Sequence, residues 1–104
     1  MSTLSTHVLD TSTGQPAGNM TVRLARWSSD AWLKLSERAT NSDGRVSDFE
    51  SLQEGRYRLS FETGDYGNSF YPFVAVVFEV DGVRDHYHIP LLLSPYGYTT
   101  YRGS

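Results

Sequence analysis

Apolar and polar residues alternate with period two along most of this chain, the pattern of strands that turn one face toward a core. In the first run, residues 4–10, Thr6 and Val8 share one face while Ser5, His7 and Leu9 share the other. The turn-prone stretch Thr11-Ser12-Thr13-Gly14-Gln15-Pro16-Ala17-Gly18-Asn19 cannot continue that strand. Residues 20–27 then alternate Met20, Val22, Leu24 and Arg26 against Thr21, Arg23, Ala25 and Trp27. After Ser28-Ser29-Asp30 a further alternating run begins at Trp32 and continues to Thr40, and Asn41-Ser42-Asp43-Gly44 turns tightly into Arg45. Residues 46–49 read as a short edge strand, and residues 57–62 as another strand of period two.

Residues 64–71 are the one stretch compatible with a helix, of one or two turns, and Pro72 closes it. Residues 73–80 are strongly β-branched, and Asp81-Gly82 predicts a hairpin turn into a strand over 85–93. Pro95, Tyr96 and Gly97 turn the chain into a last strand over 98–103. Eight short strands with one helical insertion predict an all-β fold, a two-layer antiparallel β-sandwich. At 104 residues the chain is expected to be a single domain, residues 1–104. Such a chain buries only roughly 60 to 70% of its unfolded surface, so association with further copies would add to a modest core.

Composition narrows the chemistry. The absence of cysteine removes disulfides, thiol nucleophiles and sulfur-ligated metals. Twelve acidic against nine basic residues, a net charge of -3, provide no basic face for phosphates, so nucleic acid is not expected as a partner. No apolar run approaches the roughly 20 residues of a membrane span. The N-terminal residues lack a secretory layout, and a soluble cytoplasmic protein is the expectation.

Strand parity sorts the polar residues. Over 85–93, His86, His88, Pro90 and Leu92 share one face, and Tyr87, Ile89, Leu91 and Leu93 form the opposite face, which reads as core. In the last strand Thr99, Tyr101 and Gly103 share a face, and Tyr98, Thr100 and Arg102 share the other. An outward face holding histidines beside Pro90 and Leu92 is too apolar to be left wet, which predicts a second subunit over it. A chain terminus normally frays into tolerant polar sequence, whereas residues 86–104 stay apolar and aromatic, so this terminus is expected to be used.

Three motifs in order carry a resemblance over essentially the whole chain. They are Leu4-Ser5-Thr6-His7-Val8-Leu9-Asp10, Thr40-Asn41-Ser42-Asp43-Gly44-Arg45, and the block from His88-Ile89-Pro90-Leu91-Leu92-Leu93-Ser94-Pro95-Tyr96-Gly97-Tyr98 to Thr99-Thr100-Tyr101-Arg102-Gly103-Ser104. With them the chain resembles the 5-hydroxyisourate hydrolases of the transthyretin-like family, and the closing Tyr-Arg-Gly-Ser marks the hydrolases apart from the vertebrate hormone carrier. The resemblance implies a transthyretin-like sandwich in which two subunits pair edge to edge through their last strands. It also implies that two such dimers meet face to face around a channel, as a homotetramer. The implied reaction is the hydrolysis of 5-hydroxyisourate to 2-oxo-4-hydroxy-4-carboxy-5-ureidoimidazoline in urate catabolism, with no cofactor and no metal.

Carried over by motif, the implied catalytic residues are His7, Arg45, His88 and Ser104, and those that bind substrate are His7, Arg45, Tyr101, Arg102 and Gly103. Water must attack a ring acyl carbon, which calls for a base, a stabiliser of the growing oxyanion and a proton for the departing nitrogen. Histidine suits proton transfer because its pKa of about 6.5 keeps both forms available near neutrality. His7 and His88 are therefore expected to activate water and move protons, and the planar guanidinium of Arg45 to clamp substrate oxygens. Ser104 is expected to contribute its hydroxyl and a free carboxylate that orients a histidine or pairs with Arg45. Tyr101 is expected to be a wall, and the role of His86 is open. His86 and His88 have the spacing of two zinc ligands, a reading the resemblance does not favour. A non-catalytic carrier of a small aromatic ligand is the competing function, since fold alone does not exclude it.

Overall fold

In the computed structural model, which describes residues 1–104, the alternating runs form two sheets around one core. The elements are β1 (Thr3–Asp10), β2 (Gln15–Pro16), β3 (Thr21–Ser28), β4 (Ala31–Ala39), β5 (Arg45–Val46), β6 (Gly55–Phe61), α1 (Thr63–Tyr66), β7 (Val74–Val80), β8 (His86–His88), β9 (Leu91–Ser94) and β10 (Gly97–Thr100). One sheet has the order β4-β3-β6-β7. The other has the order β10-β9-β1-β2, with β5 and β8 also pairing to β1. Leu4 and Val8 of β1, Val22 and Leu24 of β3, Tyr57, Leu59 and Phe61 of β6, and Tyr87, Ile89, Leu91 and Leu93 meet between them, all buried as the period-two pattern requires. No helix is long and apolar enough to cross a membrane.

The structure corrects several expectations. The sandwich is not antiparallel throughout, because β1 runs parallel to β8 and β9. Asp81-Gly82 does not close a hairpin: β7 pairs with β6 and β8 with β1, so this turn carries the chain from one sheet to the other. The Asp81 carboxylate fixes it by accepting bonds from the Val83 amide at 2.9 Å and from the hydroxyl of the core residue Tyr87 at 2.8 Å. The run over 85–93 is cut in two at Ile89-Pro90, and the two-residue β2 adds a strand, so eight expected strands become ten. Of the expected 46–49 edge only Val46 pairs in the sheet, together with Arg45 before it, while Phe49 turns into the core.

The helix covers Thr63–Tyr66 and ends at Gly67, whose φ is 131°. Asn68 prevents its continuation: its side-chain oxygen accepts from the Phe70 and Tyr71 amides, and its side-chain nitrogen donates to the Ser94 carbonyl.

The β3–β4 hairpin turns on Ser29 and Asp30 alone, with φ of 52° and 63°, both in the left-handed region, and Trp27 and Trp32 face each other across it at 5.2 Å. The right-handed twist of the strands selects this turn, and glycine is its preferred residue. Left-handed backbone costs an ordinary residue roughly 1–2 kcal/mol, against the roughly 0.5–1 kcal/mol entropy cost of glycine. Asp30→Gly is therefore expected to raise stability by about 0.5–1 kcal/mol, read as a higher urea midpoint at unchanged slope. A lowered midpoint would show that the aspartate side chain, not the backbone, governs the turn.

Candidate active site

The outward face of the sheet built on β1 carries the polar residues that the sequence motifs single out. Along one edge of β1, Thr3 pairs with His86, Leu4 with Tyr87 and Ser5 with His88. Beyond Pro90 the pairing resumes at Val8 and Leu91 in unchanged register. On the other edge Thr6 pairs with Val46 and His7 with Arg45. Parity then sends Thr3, Ser5, His7, His86, His88 and Arg45 to one face and Leu4, Thr6, Val8 and Tyr87 to the core.

Pro90 shapes the far side of this face. The Ile89 amide donates to the Ser5 carbonyl, so the position of the next residue's amide is turned toward β10, and proline has none to donate. The Pro90 carbonyl accepts instead from the Thr100 hydroxyl at 2.8 Å, and β10 ends there. Tyr101 and Arg102 leave the ladder with exposed side chains, which shortens the strand expected over 98–103. The ladder closes once more at Gly103, whose amide donates to the His88 carbonyl at 2.7 Å, in the same register as the Gly97–Ser94 pair. Pro90 itself is buried and is no part of the outward surface.

His88 is half-buried, and its ring lies against Gly103. A Cβ built on that glycine would fall 2.5 Å from the His88 Cδ2. On the other flank the Ser5 hydroxyl lies 2.8 Å from His88 Nδ1, which leaves Nε2 as the nitrogen without a partner in the chain. Burial lowers the His88 pKa below the ordinary value, and the charges of Arg45, His86 and His7 lower it further. The three groups are thus near enough to His88 to act on its charge.

Arg45 is placed by a loop with little freedom. The Asn41 side-chain oxygen accepts from the amides of Asp43 and Arg45 at 2.9 and 3.0 Å. Gly44 adopts φ 73° with its Cα packed on β1, where an added Cβ would meet the Val8 carbonyl at 2.4 Å. Only glycine fits there. The Arg45 side chain itself is exposed, and His7 is half-buried beside it.

His7, Arg45, His88 and Gly103 are therefore brought together, whereas Tyr101, Arg102 and Ser104 are exposed beside them and make no side-chain bond to the group. Ser5 is the residue that sequence reasoning left unassigned, although parity had set it on the face of His7. Leu9 and Leu92, half-buried, and Thr99, exposed, extend the same face, while the two clefts that the chain forms by itself are lined by other residues.

Solved structures and curated proteins resemble this chain over nearly its whole length. The structure of Klebsiella pneumoniae 5-hydroxyisourate hydrolase superposes with a TM-score of 0.88 at 40% identity, covering 100% of both chains. Transthyretin from Sparus aurata superposes with a TM-score of 0.89 at 28% identity, covering 96% of this chain and 95% of that one. The 5-hydroxyisourate hydrolase of Mus musculus is 43% identical over 113 residues, covering 99% of this chain and 96% of that protein. With residues 4–103 matched by the model of the HIUase/Transthyretin family, the chain belongs to that family.

Proposed function

We propose that this protein hydrolyses 5-hydroxyisourate to 2-oxo-4-hydroxy-4-carboxy-5-ureidoimidazoline in urate catabolism, as a cytoplasmic homotetramer built as a dimer of dimers. The observation that carries this reading is the convergence of His7, Arg45 and His88 on one sheet face, with His88 disposed to stay neutral. The fold does not choose between hydrolase and carrier, since it superposes equally well on a hydrolase and on a transthyretin. The side chains support the hydrolase reading. Two imidazoles and a guanidinium are costly to cover with an apolar ligand and suit one whose charge builds during reaction.

In this scheme the free Nε2 of His88 accepts a proton from water as the water oxygen bonds to a ring acyl carbon. Electrons move onto the carbonyl oxygen, where Arg45 and His7, adjacent in one row across β5 and β1, donate hydrogen bonds to the forming oxyanion. The carbon–nitrogen bond then breaks, and His88 Nε2 returns its proton to the departing nitrogen. A base must be unprotonated to begin, and the depressed pKa provides that. Gly103 gives the His88 ring its space, Tyr101 and Arg102 border the substrate, and the Ser104 hydroxyl completes the rim.

The tetramer is supported by two features of the surface. The outer edge of β10 is unpaired, with Tyr96 and Tyr98 exposed along it, so a second copy can extend the sheet. The face bearing His7 and His88 also carries Leu9 and Leu92, and a facing pair of subunits would wall the substrate in.

Hydroxyisourate generated by a urate oxidase and followed by its ultraviolet decay tests the activity. The protein is expected to accelerate the decay, and His88→Asn to lower kcat/KM by about 10² to 10⁴. No acceleration over the spontaneous rate would leave the carrier reading ahead. Gly103→Ala, which presses a methyl into the His88 ring, is expected to cut kcat by roughly 10-fold or more while the protein stays folded. A wild-type rate in that variant would remove the packing role. Because the shift favours the neutral ring, the acidic limb of the kcat/KM profile is expected to fall below the ordinary imidazole value of about 6.5. A limb above that value would contradict His88 as the base.

A further inference from the structure

The Ser5 hydroxyl lies between two imidazoles, 2.8 Å from His88 Nδ1 and 2.9 Å from His86 Nε2. The other nitrogen of His86, Nδ1, is 2.5 Å from the Thr3 hydroxyl. That hydroxyl in turn is 3.4 Å from the Asp85 carbonyl oxygen, which can only accept. The register of β1 with β8 produces this line directly: Thr3 is set opposite His86, and Ser5 opposite His88, all on the outward face. From half-buried His88 the line leads to exposed His86.

We propose that Ser5 and His86 are positioning residues that hold His88 with Nε2 bare and carry the positive charge of its protonated form out to the exposed His86 ring. The proposal rests on the hydrolase reading, in which His88 Nε2 takes the proton of water.

A serine hydroxyl has one proton, so between two ring nitrogens it donates to one and accepts from the other. The carbonyl at the far end sets the direction. Thr3 donates to the Asp85 oxygen and accepts from His86 Nδ1–H; His86 Nε2 is then bare and accepts from Ser5; Ser5 accepts from His88 Nδ1–H. His88 Nε2 is left without a proton, the form that a base needs. When Nε2 takes a proton from water, His88 would become an imidazolium where burial and the charges of Arg45 and His7 oppose it. Transfer of the Nδ1 proton to Ser5 Oγ, with the serine's own proton passing to His86 Nε2, leaves His88 neutral with Nε2–H. The charge then resides on His86, the more exposed of the two rings. When Nε2–H goes to the departing nitrogen, Ser5 returns a proton to His88 Nδ1 and His86 returns one to Ser5. Each group ends as it began, and no proton is gained or lost.

The charges that bear on His88 come from Arg45 on β5, His86 on its own strand and His7 on β1, and no side-chain carboxylate bonds to its ring. A serine proteinase triad uses a carboxylate to orient and stabilise its histidine; here a hydroxyl and a second, exposed imidazole take that place.

The test uses the full chain in three measurements. Two-bond proton–nitrogen correlation spectra of the substrate-free wild type are expected to show His88 in the Nδ1–H tautomer, and Ser5→Ala is expected to mix the tautomers. In kinetics, Ser5→Ala and His86→Gln are expected to lower kcat by roughly 10²-fold, within the range of positioned proton transfer, with KM changed little. Ser5→Thr, which keeps the hydroxyl, is expected to recover kcat to within a few-fold. Wild-type kcat and an unchanged pH profile in His86→Gln would overturn the proposal, as would an Nε2–H tautomer in the wild type. Should Ser5→Ala not fold, the surface variant His86→Gln and the wild-type spectrum decide alone. The spectrum needs no substrate, so a protein inactive toward hydroxyisourate would fail the hydrolase reading without deciding the tautomer.

Discussion

Strand β1 is hydrogen-bonded along both edges, to β8 and β9 on one side and to β5 and β2 on the other, and the rest of the site depends on that register. A slip of one residue would exchange His7 with Val8, turning Ser5 and His7 into the core and Leu4, Thr6 and Val8 out of it. Several interactions forbid the slip. The Thr6 hydroxyl, fully buried, donates to the Ile89 carbonyl at 2.6 Å, and in any neighbouring register it would be a buried group without a partner. The Val8 amide donates to Gly44 and its carbonyl accepts from Ala17, so two separate loops hold the same residue. Leu4 and Val8, both fully buried, fix the inner face by packing.

Three distant segments supply the groups gathered on the outer face, and two of them are held jointly by a short polar side chain and a close-packed glycine. Arg45 is set by the Asn41 amide and the fold-back at Gly44, and His88 by the Ser5 hydroxyl and the bare Cα of Gly103. Such support leaves the reactive ends of the side chains unengaged. It also gathers several cationic or basic groups in a protein of net charge -3, an arrangement that is tolerable because His88 is disposed to be neutral and Arg45 is exposed.

Much of this was legible in the alternating pattern. Period two placed Tyr87, Ile89, Leu91 and Leu93 in the core, set His88 on the outer face and separated His7 from Val8, because side-chain direction in a strand follows from parity alone. What could not be read was which strand lies beside which. Asp81-Gly82 has the residues of a hairpin turn, yet the choice between pairing back and crossing over is made by where Tyr87 is buried, a tertiary fact. The parallel course of β8 and β9 along β1 is of the same kind. Pro90 was visible as a proline in a strand, but its effect on its neighbour across the sheet, the release of Tyr101 and Arg102, appears only once β10 is known to lie there. Ser5 was hidden for the opposite reason: a small hydroxyl on a strand is unremarkable until two histidines flank it.

The parallel course of β1 and β8 has a consequence for how the chain acquires its form. His88 meets Ser5 across a separation of 83 residues, whereas β3 and β4 meet through a two-residue turn. Loop closure over so long a span is entropically slow, and local hairpins need no such closure. On a ribosome, the sheet of β3, β4, β6 and β7 can assemble while β1 waits, its backbone donors open, for partners not yet synthesised. The half of the molecule that carries the candidate site is therefore the half last to mature, and the nascent β1 is the segment most in need of protection from foreign strands.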